Sequence, residues 1–347
     1  MSRFYKIVVG PETANPALGV ASNNAGATWT NTVNGAADLG AQTVEFDIVS
    51  TTLDNPVSAG SIKIWGPSKA QISQASNFNG APIQVFAGMQ KGLPLATADF
   101  DSGQQGLIAY GVIFQAFGNW QGVNQTLDFV ILPSEGNNQD NPSNISYLWK
   151  KGTQMADAIK HLLQIAYPTF DPPAINISPN LVLPNDEPFV WQTPKQFGIY
   201  IRGISKNIIG NSIKNYQGVS IVQNGNQFKV FDGTVNQPSA GANTNTGNAS
   251  SVKNIALQDL IGQPTWLGPN EIQFNTVLRA DINLGTLIKF PPVEQLFAIT
   301  SSESNSFARD QNAFLGQWQI TFVRHVGNSR DPNPQSWITN FKAVTTT

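Results

Sequence analysis

The chain has no cysteine, so disulfides and thiolate-bound metals are excluded and nothing can be read about its redox compartment. Histidine is nearly absent too, with two among 347 residues, and neither has carboxylates at a spacing that would complete a metal site. Charge is scarce. Asp, Glu, Lys and Arg make up 12% of the chain, about half of the roughly 25% usual in soluble domains. The 20 basic and 22 acidic side chains leave a net charge of −2, and no basic run occurs. That argues against a protein that grips nucleic acid by its phosphates, though not against DNA passing close by. No nucleophile elbow, P-loop or Gly-x-Gly-x-x-Gly pattern is present. No apolar run approaches the ~20 residues of a membrane-spanning helix. The apolar stretch within Met1 to Gly10 is too short for the core of a signal peptide. The expectation is a chain made in the cytoplasm that stays soluble unless an assembly carries it out.

What is present is polar, uncharged and rich in short alternating segments. A chain of 347 residues is too long for one ordinary core and points to two or three domains. At that length roughly 75% of the unfolded surface can be buried without a metal or disulfide staple. Phe4 to Val9 reads as a first strand ended by Gly10-Pro11. Residues 12–42 show no period, and a loop that long is commonly functional or interface-forming. Trp29 within it reads either as an anchor for a partner or as a plug over a local core. Val44, Phe46 and Ile48 alternate with Glu45, Asp47 and Val49, which marks a half-buried strand. Ser61 to Trp65, Ile83 to Ala87, Leu107 to Phe117 and Gln125 to Leu132 follow as strands. Lys69 to Asn77 is predicted as one short helix. Short strands at this spacing, with no long helical pattern between them, indicate an antiparallel barrel or sandwich.

Residues 133–142 form a polar linker, and beyond it the period changes. Thr153 is predicted to cap a helix whose face holds Met155, Ile159, Leu162, Leu163 and Ala166, ended by Pro168. The stretch around Asp171-Pro172-Pro173 and Pro184-Asn185-Asp186 reads as irregular. Thr193-Pro194 supplies a cap and a first-turn proline for a second helix with Phe197, Ile201, Ile204 and Ile208 on one side and Gly210 at its end. Val219 to Gln223 and Gln227 to Phe231 read as a hairpin turning at Asn224-Gly225. Residues 232–251 are low in complexity and expected to be mobile.

The third part holds the most patterned stretch. Gly262 and Pro264 punctuate a turn in Asp259 to Trp266. After it Ile272, Phe274, Thr276 and Leu278 alternate with Glu271, Gln273, Asn275 and Arg279. Gly285 then leads to Leu287 to Phe290, stopped by Pro291-Pro292, and the unit reads as hairpin-like. Glu45-Phe46-Asp47 with Gly60, Ile62-Lys63-Ile64 and Pro67 parallels Gln273-Phe274-Asn275 with Gly285, Ile288-Lys289-Phe290 and Pro291. Each half also ends in two long strands carrying Gly-Asn after an aromatic-rich run, at Gly118-Asn119 and Gly327-Asn328.

The Ile-Gly-x-Pro turn with its two strands, this repeat, Ile62 to Ser68, Pro82 to Gly88 and Trp318 to Asn328 together resemble bacteriophage tail baseplate hub proteins. The resemblance implies a mainly β chain with two similar antiparallel β-barrel tube domains and a small α+β domain between them. The implied boundaries are 1–135, 136–250 and 251–347. It also implies a structural role as a hub joining a six-fold tail tube to a three-fold central spike around a channel for DNA. The expected partners are two further copies of the chain in a pseudo-six-fold homotrimer, the tail tube or its adaptor, and the spike, with the tape measure protein and baseplate wedges as further candidates. The expected location is the virion tail tip, and the host cytoplasm during assembly.

Candidates for chemistry are few, and no catalytic, cofactor-binding or metal residue is expected. His161, read on the helix face of Ile159 and Leu162, and His325, on a strand after Arg324, both read as structural. Glu45 and Asp47 share a strand face about 7 Å apart, near a spacing used by glycoside hydrolases. Nothing nearby would raise the pKa of one partner, so they read as a solvated or channel-facing strand. Asp186-Glu187, between Pro184 and Pro188, reads as a loop. Trp29, Trp120 and Trp266 with the Asn-rich loops leave open a carbohydrate-binding or adhesin-like tail component. A tail-associated cell-wall hydrolase is the remaining alternative.

Overall fold

The computed structural model describes residues 3–10, 26–33, 36–54, 59–89, 104–132, 145–168, 170–210, 212–213, 216–224, 227–234, 252–291 and 314–346. The first part holds β1 (Arg3–Val9), β2 (Ala27–Thr30), β3 (Thr32–Val33), β4 (Ala36–Ala37), β5 (Thr43–Thr51), β6 (Ala59–Trp65), α1 (Lys69–Ser73), β7 (Pro82–Met89), β8 (Gly106–Gln121) and β9 (Asn124–Leu132). The middle holds β10 (Ile145–Trp149), α2 (Met155–Ala166), β11 (Asp171–Asn176), β12 (Glu187–Trp191), α3 (Pro194–Ile209), β13 (Ser220–Asn224) and β14 (Gln227–Phe231). The last part holds β15 (Lys253–Asn254), β16 (Thr265–Gly268), β17 (Glu271–Val277), β18 (Leu287–Lys289), β19 (Trp318–Asn328) and β20 (Trp337–Thr345).

The protein is mainly β, and its first and last parts are one sheet. The strand order is β16-β17-β20-β19-β5-β6-β9-β8-β7-β1-β2, with β18 also on β19 and β15 on β18. The join is β19 against β5, antiparallel from Phe322 opposite Thr51 to Asn328 opposite Glu45. Alternation explains how the sheet is covered. Val44, Phe46 and Ile48 are buried while Glu45 and Asp47 are only partly so. β17 repeats the pattern with Ile272, Phe274 and Thr276 inside. β8 pairs β7 along its first half and β9 along its second, with register breaks at Val85/Phe86 and Ile113/Gln115. Such bulges bend a strand, and they let β8 pass from one neighbour to the other.

Three hydrophobic cores result. The first gathers β1, β5 to β9, Trp29 and Phe78, but also Leu278, Ala280 and Trp337 from the last part of the chain. The second packs α2 and α3 on β10, β12, β13 and β14. The third centres on Phe274, Ile288, Phe290, Trp318 and Phe341 and takes in Val222 and Phe231 from the middle. The middle is also tied to the loop after β5. Leu53 donates its N–H to the Ile221 carbonyl at 2.8 Å, and Arg202 on α3 is salt-bridged to Asp54.

Several sequence readings are corrected. The loop of 12–42 contains β2, which pairs β1 with Trp29 opposite Ile7. Trp29 is 5% exposed, edge-on to Phe78 and Phe129, so it plugs a core. The β17–β18 unit is not a hairpin, since β17 pairs β16 and β20 while β18 pairs β19 and β15. The nine residues 278–286 bury Leu278, Ala280 and Ile282 on the way, a path through the core rather than a tight turn. The two halves therefore differ in their neighbours, because β5 and β6 do pair. Strand β8 runs through Gly118-Asn119 and turns only after Gln121.

Further differences lie in the middle. Gln154, not Thr153, stands at the N-cap of α2. The stretch read as irregular contains β11 and β12; β11 is an edge strand of the order β11-β14-β13, where Pro172 and Pro173 withhold no needed donor. The helix of 69–77 splits into α1, held by a Ser68/Gln71 capping box, and a 3-10 turn at Ala75–Phe78. Asp232, assigned to the mobile 232–251, is 4% exposed and accepts the Ser178 N–H; 235–251 lie outside the described residues, as do the linker 133–142 and the hairpin turn at Gly225.

Candidate functional site

Among the described residues an extended polar surface covers the side of the sheet turned away from the cores, across β19, β5, β6, β9 and β8. Register aligns Asn328, Glu45, Lys63, Asp128 and Phe117 in one row across five strands. Asn328 Nδ2 donates to Glu45 Oε1 at 3.0 Å. Lys63 Nζ is 3.6 Å from Asp128 Oδ1, and Thr126 Oγ1 donates to Asp128 Oδ2 at 2.9 Å. One step along, Arg324 Nε donates to Asp47 Oδ1 at 2.8 Å and a second guanidinium nitrogen donates to Oδ2, a bidentate pair. That pair lifts the Arg324 pKa above its ordinary value. An open groove crosses the rows.

Glu45 and Asp47 are thus brought together on one face, as the alternation requires, but each is committed to a different neighbour. Three acidic groups (Glu45, Asp47, Asp128) stand among two basic ones (Lys63, Arg324), so the face is polar and close to neutral. Exposed pairs of this kind contribute about 0–1 kcal/mol each, and their effect lies in the charge they cancel. Sequence reading found Glu45 and Asp47 but missed Arg324, Lys63 and Asp128. The available signal was an opposite charge on strands that share a period, which shows only once register is known.

A second missed group lies at the meeting of the first and third cores. Arg279 is 2% exposed. It donates from Nε and one terminal nitrogen to Asp281 at 2.6 and 2.7 Å, and from the other to Asp259 at 2.8 Å. Gln104 Nε2 donates to the same Asp259 oxygen at 3.1 Å, and Lys253 is salt-bridged to Asp281. Burial opposes ionisation of Asp281, yet Arg279 and Lys253 outweigh it and hold the carboxyl below its ordinary 3.8. The alternating pattern had placed Arg279 on the solvent face.

Each remaining candidate meets a neighbour within the chain, although His161, Trp120 and Trp266 stay exposed. His325 is 2% exposed with Nδ1 at 2.9 Å from Thr339 Oγ1, and burial pushes its pKa down to about 3. His161 is exposed rather than on the apolar face of α2, with its ring 5.8 Å from Tyr147. Asp186 accepts the Lys151 N–H, and Glu187 opens β12 and accepts from Tyr200 Oη, so only Asp186 lies in a loop. Trp120 donates to the Gly122 carbonyl and lies under Lys69. Trp266 stacks on Phe314 at 5.2 Å. Among the described residues no group of three or more His, Asp or Glu could hold a metal. No helix among them is long and apolar enough to cross a membrane.

Comparison with solved structures identifies the fold. A tail protein from Neisseria meningitidis matches with a TM-score of 0.50 and 9% identity over 99% of this chain and 97% of its own. A prophage tail protein of 43 kDa from Shewanella oneidensis matches at 0.49 and 7%, covering 99% and 97%. An E. coli component of the type VI secretion system, described as similar to T4 bacteriophage tail proteins, matches at 0.45 and 7%, covering 88% and 74%. No protein-family model and no curated protein matches the sequence. The chain has the fold of the Neisseria meningitidis tail protein.

Proposed function

We propose that the chain is a structural component of a phage or phage-like tail, and within it the hub that joins a six-fold tube to a three-fold spike around a channel. The carrying observation is the β19–β5 join. It lines up β16, β17, β20, β19, β5, β6, β9 and β8 as one wall built from both ends of the chain. Each half, 1–135 and 251–347, is read as one tube-like domain, with 136–250 beside the wall. Three such chains would present six units, pseudo-six-fold toward the tube and three-fold toward the spike, with heterologous contacts closing the ring. The tube or its adaptor and the spike are the partners this reading requires; tape measure and wedge proteins are further neighbours. The neutralised outer rows suit a channel wall, since matched charges neither hold nor strongly repel passing phosphates.

The sugar-binding alternative has less support. Trp29 is buried, and the two exposed tryptophans are engaged within the chain, Trp266 stacked on Phe314 and Trp120 under Lys69. The hydrolase alternative would need a carboxylate pair free to act as acid and base, and Asp47 is held by Arg324. Cryo-EM of the intact particle tests the hub reading. Three copies at the tail tip, with β5 and β17 on the channel wall, are expected; six copies, or a wall formed by other strands, would overturn it.

A further inference from the structure

Where the middle body meets both halves of the long sheet there is a half-enclosed cavity of about 50 Å³. Its lining includes Lys229 on β14, Ser50 on β5, Tyr110 on β8, His325 on β19, and Asn283. Lys229 is there by register. Phe228 and Val230 on either side of it belong to the middle core, so Lys229 faces the opposite way, alongside its registered partner Val222 in the third core. Among the described residues no carboxylate lines the cavity, and Lys229 has no salt bridge or hydrogen bond. Burial alone lowers its pKa from 10.5. This sets it apart from Arg279, Arg202 and Arg324, each of which has its carboxylate.

Lys229 is half-buried, and a cation drawn partly out of water without a counter-charge is stabilised by pairing. The space exceeds the roughly 10–15 Å³ that one water needs on the same measure, which leaves room for a small polyatomic anion. The Ser50 hydroxyl and the Asn283 amide can each donate. The Asn283 amide is committed only to a 3.4 Å contact with the Ala280 carbonyl. His325, neutral through burial, adds no competing charge.

We propose that this cavity binds one small oxyanion of the phosphate or sulfate class through Lys229, with Ser50 and Asn283 as further donors, tying the middle body to both halves of the sheet. The inference does not depend on the tail reading. Thermal unfolding of the full chain in inorganic phosphate tests it. The midpoint should climb by on the order of 2 °C per tenfold phosphate above its Kd, with sulfate acting alike and chloride at matched ionic strength having no such effect. Lys229→Met should abolish the phosphate increment while remaining folded without it. An equal increment in Lys229→Met, or none in the parent chain, overturns the proposal. Should that variant not fold, the parent chain decides alone through the ³¹P signal of inorganic phosphate. Broadening that sulfate reverses supports the site, and a signal unchanged by the protein rejects it.

Discussion

At the scale of the residue, the fold spends its few charges in two ways. On the outer rows they sit half-exposed beside a partner and govern what the surface attracts. At Arg279 they are buried, and there removing one member is far costlier than the pair is beneficial. Arg279→Met would leave Asp259 and Asp281 in the interior with Lys253 as their only cation. Burial opposes ionisation of Asp281 and Arg279 is the main group that offsets it, so the variant leaves that carboxyl in the interior with Lys253 alone beside it. A loss of about 3–5 kcal/mol is expected, read from denaturant unfolding of the variant beside the parent. A change under about 1 kcal/mol would mean that water reaches the cluster and that it does not hold the first and third cores together.

At the scale of the element, the β19–β5 join depends on a small residue facing a large one. Gly327 stands opposite Phe46, and a Cβ placed there would come within 2.2 Å of the Phe46 ring. That ring in turn lies edge-on to Trp337 at 5.3 Å. The aromatic covers backbone that a glycine leaves open, and both strands gain buried area. Gly327→Ala pushes the ring into Trp337, and overpacking of this kind costs about 1–3 kcal/mol. The expected result is a lowered midpoint in thermal unfolding, with the ring packing restored in part by Phe46→Leu in the same chain. A neutral Gly327→Ala would show that β19 and β5 can slide apart to make room.

At the scale of the whole molecule, the two ends of the chain are fastened more than once. Arg3 at the start of β1 donates to the carbonyls of Asn328, which ends β19, and of Asp331 and Asn333 beyond it. Trp337 on β20 donates from Nε1 to the Gly88 carbonyl at 3.0 Å, and Leu278 and Ala280 complete the first core. These links predict one cooperative unit rather than two independent halves. In native-state hydrogen exchange the slowest amides of β5 and of β20 should open with the same free energy. Opening of β20 at a much lower free energy would show that the last part unfolds alone.

The sequence by itself determined which residues turn inward. A period of two marked Val44, Phe46 and Ile48, and again Ile272 to Leu278, because a strand places successive side chains on opposite faces. It placed α2 and α3 within a residue or two, through Thr193-Pro194 and an apolar face repeating every three to four positions. It also carried enough of a family pattern to point to the tail-protein fold. Only the tertiary structure decided which strands are neighbours. Pairing energy depends on partners distant in the chain, so nothing local announces that β19 meets β5, or that β18 leaves β17 for β19. For the same reason Arg279 read as a surface residue until Asp259, twenty positions away, came within 2.8 Å of it, and the cavity beside Lys229 exists only because strands from both halves of the chain meet there.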